Sequence, residues 1–203
     1  MFTRFLMAAT VAVALAGCAA KQPYADDATI ARVRYSDPSH PSLTLYTMVN
    51  NRTGAGGHSA LMINASERVI FDPAGSFKVD VVPERDDVLF GITPAVEAGY
   101  RSAHARSTFS VVSQKIDVTP EQAETAYRLA LSNGAVPGAF CANATSSLLS
   151  RVPGFEGIKT TFYPTNLRDQ VAQLPGVVTD TYYEGDSADL KDGIAKSNAA
   201  LTE

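Results

Sequence analysis

Three side chains of this sequence could share an acyl-transfer reaction: the thiol of Cys141, the imidazole of His58 and the carboxylate of Asp72. Cys141 opens the run Cys141-Ala142-Asn143-Ala144-Thr145-Ser146-Ser147-Leu148-Leu149, whose spacing predicts a helix over about 141–151. Unpaired N–H groups and the helix dipole in a first turn favour a thiolate. A nucleophilic thiol needs that help, because the free group ionises only near about pH 8.5 and the thiolate does the attacking. The same residue also reads as a small core side chain. Cys141, Thr145, Leu148 and Leu149 share one helical face that Val152 extends, and free cysteine is among the most buried residue types.

His58 follows Gly56-Gly57 and begins a short apolar run, with Ala60 and Met62 on its face of the expected strand. A second run, Arg68 to Asp72, follows a polar connection at Ala65-Ser66-Glu67, so the two read as an antiparallel hairpin. Folding it brings Asp72 opposite His58 near the open end, where a carboxylate can orient the ring and stabilise its protonated form. Thiol, base and a group orienting the base form the general activated-nucleophile arrangement. Asp72 also fits a plain turn role before Pro73.

The other candidates point elsewhere. His104, in Arg101-Ser102-Ala103-His104-Ala105-Arg106, is expected at the surface of a basic patch, or else against an anionic substrate or lipid headgroup. His40 lies between prolines in a loop, and Tyr182-Tyr183 is expected to pack the C-terminal segment. Three scattered histidines without cysteine or acidic clustering make no metal site, and no cofactor motif occurs, so neither metal nor cofactor is expected. Ser59 lacks the G-x-S-x-G context of a serine hydrolase.

The elements that must position these groups suggest one α+β domain. Small polar residues from 19 to about 28 read as a tether, 30–35 as a short first strand, and Ser36 to Pro41 as a turn. Ser42 to Val49 reads as a strand, Asn50 to Gly57 as a glycine-bearing loop, and Thr108 to Val118 as a further strand. Residues 76–107 carry no clear period. Thr119-Pro120-Glu121-Gln122 opens a helix with a capping box and proline at its first position, ended by Asn133-Gly134. A short helix over 167–174 follows, and beyond about 183 the chain is polar, at best a marginal surface helix.

The first residues have a different use. Arg4 and the apolar run Phe5 to Ala16 form a secretory signal, too short to span a bilayer, which takes about 20 residues. Leu15-Ala16-Gly17-Cys18 resembles the lipobox of bacterial lipoproteins, which implies lipidation of Cys18; an ordinary signal peptide with an incidental cysteine is the alternative. The expected division is 1–17 signal, 18–29 lipidated tether, 30–183 folded domain and 184–203 polar tail. In lipoproteins, an alanine such as Ala19 after the lipidated cysteine implies outer-membrane sorting, facing the periplasm. The 203 residues carry 17 basic and 21 acidic side chains, a net −4, which excludes the basic footprint of a general nucleic-acid binder. Two cysteines exclude a disulfide scaffold, and a lipidated Cys18 leaves Cys141 unpaired outside the cytoplasm.

The order His58, Asp72, Cys141 resembles a known family. Gly57-His58-Ser59-Ala60-Leu61, Phe71-Asp72-Pro73-Ala74-Gly75, Cys141 at a helix start and Tyr163-Pro164-Thr165-Asn166-Leu167 look like the circularly permuted papain-like fold of the NlpC superfamily. That group includes YiiX/YaeF-type envelope lipoproteins and lecithin:retinol acyltransferase relatives, and the resemblance spans about 43–177. It implies an antiparallel sheet packed against helices, a Cys141 nucleophile, a His58 base and acid, and an Asp72 orienter. It also implies an oxyanion hole built partly from the Cys141 N–H, with a second donor the sequence does not identify. The chain departs from many members at Phe140, where asparagine is common, and at Asp72, where His, Glu or Asn is frequent. The implied activity is that of an envelope cysteine hydrolase. Its substrate would be a peptidoglycan stem peptide (amidase or endopeptidase) or a lipid acyl group (lipase, thioesterase or acyltransferase). A non-catalytic binding or assembly lipoprotein with the same shell is the alternative.

Overall fold

The computed structural model describes residues 24–202 and is an α+β structure built on one antiparallel sheet. In chain order the elements are α1 (Asp27–Val33), β1 (Ser42–Asn50), β2 (Gly56–Asn64), β3 (Arg68–Phe71), β4 (Glu84–Arg85), β5 (Val88–Leu89), α2 (Pro94–His104), β6 (Phe109–Asp117), α3 (Pro120–Leu131), α4 (Cys141–Leu149), α5 (Pro164–Val171), β7 (Val178–Tyr182) and α6 (Leu190–Thr202). The sheet order is β4-β5-β3-β2-β1-β6-β7, with every pairing antiparallel.

Because strand side chains alternate, each face of this sheet collects its own core. On one face Leu43, Leu45, Leu61, Ile63 and Phe71 pack against Ala123, Ala126, Ala130, Leu148 and Leu167 of α3, α4 and α5. On the other, Tyr46, Met48, Ala60, Met62 and Ile70 pack against Val96, Tyr100 and Ala103 of α2. The hairpin, the strand over 108–118 and the capped helix at Thr119 form as the sequence predicts; the Thr119 hydroxyl accepts the Gln122 N–H, and the Gln122 side chain accepts the Thr119 N–H.

Four segments differ from the sequence reading. Residues 27–33 are a helix rather than part of a tether and strand: Asp26 accepts the Thr29 N–H at 2.7 Å, and Ile30 and Val33, one turn apart, pack on the first core. Helix α2 lies inside the stretch that showed no period. It opens on Thr93-Pro94, the same cap-and-proline signature as Thr119-Pro120, with the Thr93 side chain accepting the Val96 N–H. β7 is an edge strand whose exposed polar residues give no core signal; its pairing with β6 makes it a strand. The polar tail is α6, docked on α2. Gly193 lies so close that an added Cβ would stand 2.7 Å from the Ala103 carbonyl oxygen, and Ser197 donates to Gly99 O at 2.9 Å.

Candidate active site

His58 sits near the start of β2, where the β1–β2 register shifts between Met48 and Val49. The glycines before it are required by close approach: a Cβ on Gly57 would lie 2.7 Å from the Phe109 ring, and one on Gly56 2.7 Å from the Pro164 side chain. On the neighbouring strand, pairing stops at Phe71, opposite Leu61. Continuing that register sets Asp72 across from Ala60, so His58 reaches it along the diagonal of one face rather than from directly opposite. Asp72 N–H donates to Asp87 O at 2.8 Å, and Pro73 has no N–H to extend the ladder. The β2 edge is therefore open at Ser59.

Asp72 is 3% exposed and holds two donors on one oxygen: His58 Nε2 at 2.7 Å and the Tyr100 hydroxyl at 2.7 Å. Gly75 closes the turn behind it; a Cβ there would fall 1.8 Å from Asp72 Oδ2, so only glycine leaves the carboxylate its place. With Nε2 committed to Asp72, Nδ1 is the ring nitrogen left for the thiol.

Cys141 is the first residue of α4 and 7% exposed. Phe140 caps the helix without a side-chain hydrogen bond, which leaves the first-turn N–H groups free to face an anion. Ala139, two residues before the thiol, holds a left-handed φ of 68°, a conformation non-glycine residues rarely adopt. The His58 ring and the backbone N–H groups of Ser59 and Ala142 lie close enough to the sulfur to favour its ionised form. The buried Ser59 amide, left without a β3 partner where that strand ends, is a donor with no signal in the sequence.

The electrostatics follow from these contacts. Burial opposes a charged His58, but the Asp72 charge and hydrogen bond, with Cys141 adding to them, outweigh it and raise the His58 pKa to about 10. Burial likewise raises the Cys141 thiol, and the His58 contact with the two backbone donors reverses this, leaving it lowered. Asp72 is also held below its ordinary value, since His58, His104 and the Tyr100 hydroxyl outweigh the effect of burial. Both shifts favour a thiolate facing an imidazolium.

His104 is buried, not at the surface as the sequence suggested. It stacks on His58 with 6.2 Å between ring centroids, and its Nδ1 lies 2.8 Å from Tyr100 O. Burial lowers its pKa to about 4, so it stays neutral beside the imidazolium. Without α2 the sequence gives no sign of Tyr100 and puts His104 at the surface; the Thr93-Pro94 cap is the available signal. Met48, Gly57, His58, His104, Phe109 and Leu190 border a cavity of about 190 Å³ on this side of the ring. His40 is an exposed turn residue beside Asp37, as expected. Tyr182 packs on the second core and lies under the Arg101 guanidinium, 5.1 Å from ring centroid to Cζ.

Among the described residues, no group of three His, Cys, Asp or Glu side chains is placed to hold a metal ion. No described helix is long and apolar enough to cross a membrane. Cys18 and the signal segment lie outside the described residues. Comparison with protein-family models, with curated proteins and with solved structures found no match to this chain.

Proposed function

We propose that this chain is a cysteine hydrolase of the bacterial envelope that cleaves an amide or ester through an acyl-enzyme, with Cys141 as nucleophile, His58 as acid and base, and Asp72 as orienter. One observation carries the reading: a thiol at a helix N-terminus contacts an imidazole whose other nitrogen is 2.7 Å from a buried carboxylate. The helix-start cysteine, the hairpin and the downstream Tyr163-Pro164 helix also fit a permuted papain-like fold of NlpC type. The Leu15-Ala16-Gly17-Cys18 lipobox supports lipidation at Cys18 and attachment to the outer membrane, facing the periplasm.

The chemistry follows from the charges. The thiolate attacks the carbonyl carbon, forming a C–S bond and an oxyanion that the Cys141 N–H helps to stabilise. Collapse breaks the bond to the leaving nitrogen or oxygen, which takes the His58 proton. The thiolate adds to the Asp72 contact in holding His58 protonated. Once sulfur is acylated that support disappears, so the ring releases its proton more readily. Neutral His58 then deprotonates the water that attacks the thioester. The sulfur leaves as thiolate, and His58 holds the proton again.

An activity-based thiol probe on the wild type, Cys141→Ala and His58→Ala tests this. Selective labelling is expected, absent in the first variant and sharply reduced in the second. Unchanged labelling in Cys141→Ala would overturn the proposal and favour a binding or assembly protein with this shell.

A further inference from the structure

Aromatic side chains stand exposed around the thiol rather than in a core. Phe140, directly before Cys141, is 42% exposed; Phe162 is 54% and Tyr163 72%. Phe140 and Phe162 pack edge to face at 5.3 Å. The Phe162 segment is fastened to α4, since Thr161 N–H donates to Ser146 Oγ at 3.0 Å. The other side of the rim is the start of β2, where Gly56 lies against Pro164, with the preceding β1–β2 loop carrying the exposed Arg52. These partly exposed rings form an apolar patch that calls for a partner.

The start of the described chain points to which partner. Tyr24 bridges Arg85, and Ala25 N–H donates to Glu84 O at 2.9 Å, so this segment runs antiparallel to β4. It therefore enters the fold from the Asp86–Asp87 end of that strand. The candidate site is at the same end: Asp87 O accepts from Asp72 N–H at 2.8 Å, and Asp87 Oδ2 accepts from Val136 N–H at 2.7 Å, five residues before Cys141. Cys18 precedes Tyr24 by six residues, a reach of about 20 Å at most. A lipid on Cys18 would thus hold this end of the sheet, and not the opposite one, against the bilayer. Tyr24 is itself 66% exposed there.

We infer that Phe140, Phe162 and Tyr163 form a membrane-docking rim that seats the Cys141 mouth on the bilayer surface, so that the thiol meets lipid-borne acyl groups rather than murein. Tyr163 suits the headgroup–acyl boundary, with its ring buried and its hydroxyl wet, and the two phenylalanines supply apolar surface to insert beside it. The inference rests on the lipobox reading and selects the lipid branch of the proposed function.

The chain has no tryptophan, so one substitution supplies a unique reporter. The full chain, processed in a host able to lipidate it, is reconstituted into phosphatidylethanolamine–phosphatidylglycerol vesicles with brominated acyl chains. Phe162→Trp reports the rim. Val178→Trp reports the far end of edge strand β7, where Val178 is 69% exposed. The expected result is blue-shifted emission and about twofold or stronger quenching for Phe162→Trp, as for a ring lodged at the boundary, with little of either for Val178→Trp. Equal quenching of both, or of neither, overturns the rim. Retention on murein sacculi that Phe162→Ser removes, without bromolipid quenching, also overturns it. Thiol-probe labelling of the same samples keeps the two readings apart. A labelled but unquenched chain refutes docking alone, and a quenched but unlabelled chain keeps docking and refutes the thiol chemistry.

Discussion

The strand end carrying His58 and the helix end carrying His104 place two nearly parallel imidazoles in the same apolar surroundings, 6.2 Å apart, with opposite protonation. His58 is raised to about 10 and His104 lowered to about 4. Burial penalises the cation at both. The difference is direct contact: His58 Nε2 meets the Asp72 carboxylate, whereas His104 Nδ1 faces only the Tyr100 carbonyl. A carboxylate one ring away does not overcome burial, while one in contact does. That contrast separates a reagent from a packing residue.

Removing the reagent is the largest test. Cys141→Ala should lower turnover by at least ~10³-fold, because nothing else in the arrangement forms the acyl bond. Asp72→Asn makes His58 resemble His104 electrostatically. Probe labelling near neutral pH should fall by roughly 10²- to 10⁴-fold, and the acid limb of its pH–rate profile should move upward. An unmoved limb would show that Asp72 does not set the His58 charge. Gly75→Ala keeps every functional group but drives a Cβ into Asp72 Oδ2; a loss of about 10²-fold in labelling is expected from the displaced carboxylate.

Smaller effects should follow on the His104 side. Tyr100→Phe takes one donor from Asp72 and should cost about 1 kcal/mol in urea unfolding, with about a tenfold loss in labelling. His104→Phe should change labelling little and alter pH dependence instead. His58 is raised above its ordinary 6.5, so its contribution to stability is complete below that pH and is lost as pH rises through about 10. His104 is lowered from 6.5, so its neutral form favours folding above that pH, and stability is lost as pH falls through about 4. Urea midpoints should lose most of their slope between pH 6.5 and about 4 in His104→Phe while retaining the alkaline one.

Much of this site was legible because its signals are local. A histidine after paired glycines, an aspartate before proline and a cysteine at a helix start can each be read within ten residues. The capping box at Thr119 was equally legible. The Thr93-Pro94 start is harder to read because Val96 stands where Gln122 completes the box and Gly99 and the polar residues of α2 obscure its apolar side; Tyr100 and the burial of His104 go unread with it. The short strand expected at 30–35 failed for a related reason: Ile30 and Val33 suit alternation loosely and a helical turn better once Asp26 caps it.

The sequence by itself determined the α+β class, the antiparallel hairpin, the helix bearing Cys141 and the candidate trio, since each depends on periodicity, turn chemistry or a cap acting over a few residues. Tertiary structure alone decided the diagonal reach of His58 to Asp72, the open Ser59 amide where β3 stops, the docking of α6 on α2 and the neutral state of His104. Those depend on register, burial and the approach of chain segments far apart in sequence. A pKa follows the same rule: residue type sets its ordinary value, and the neighbours that folding brings into contact decide which way it moves.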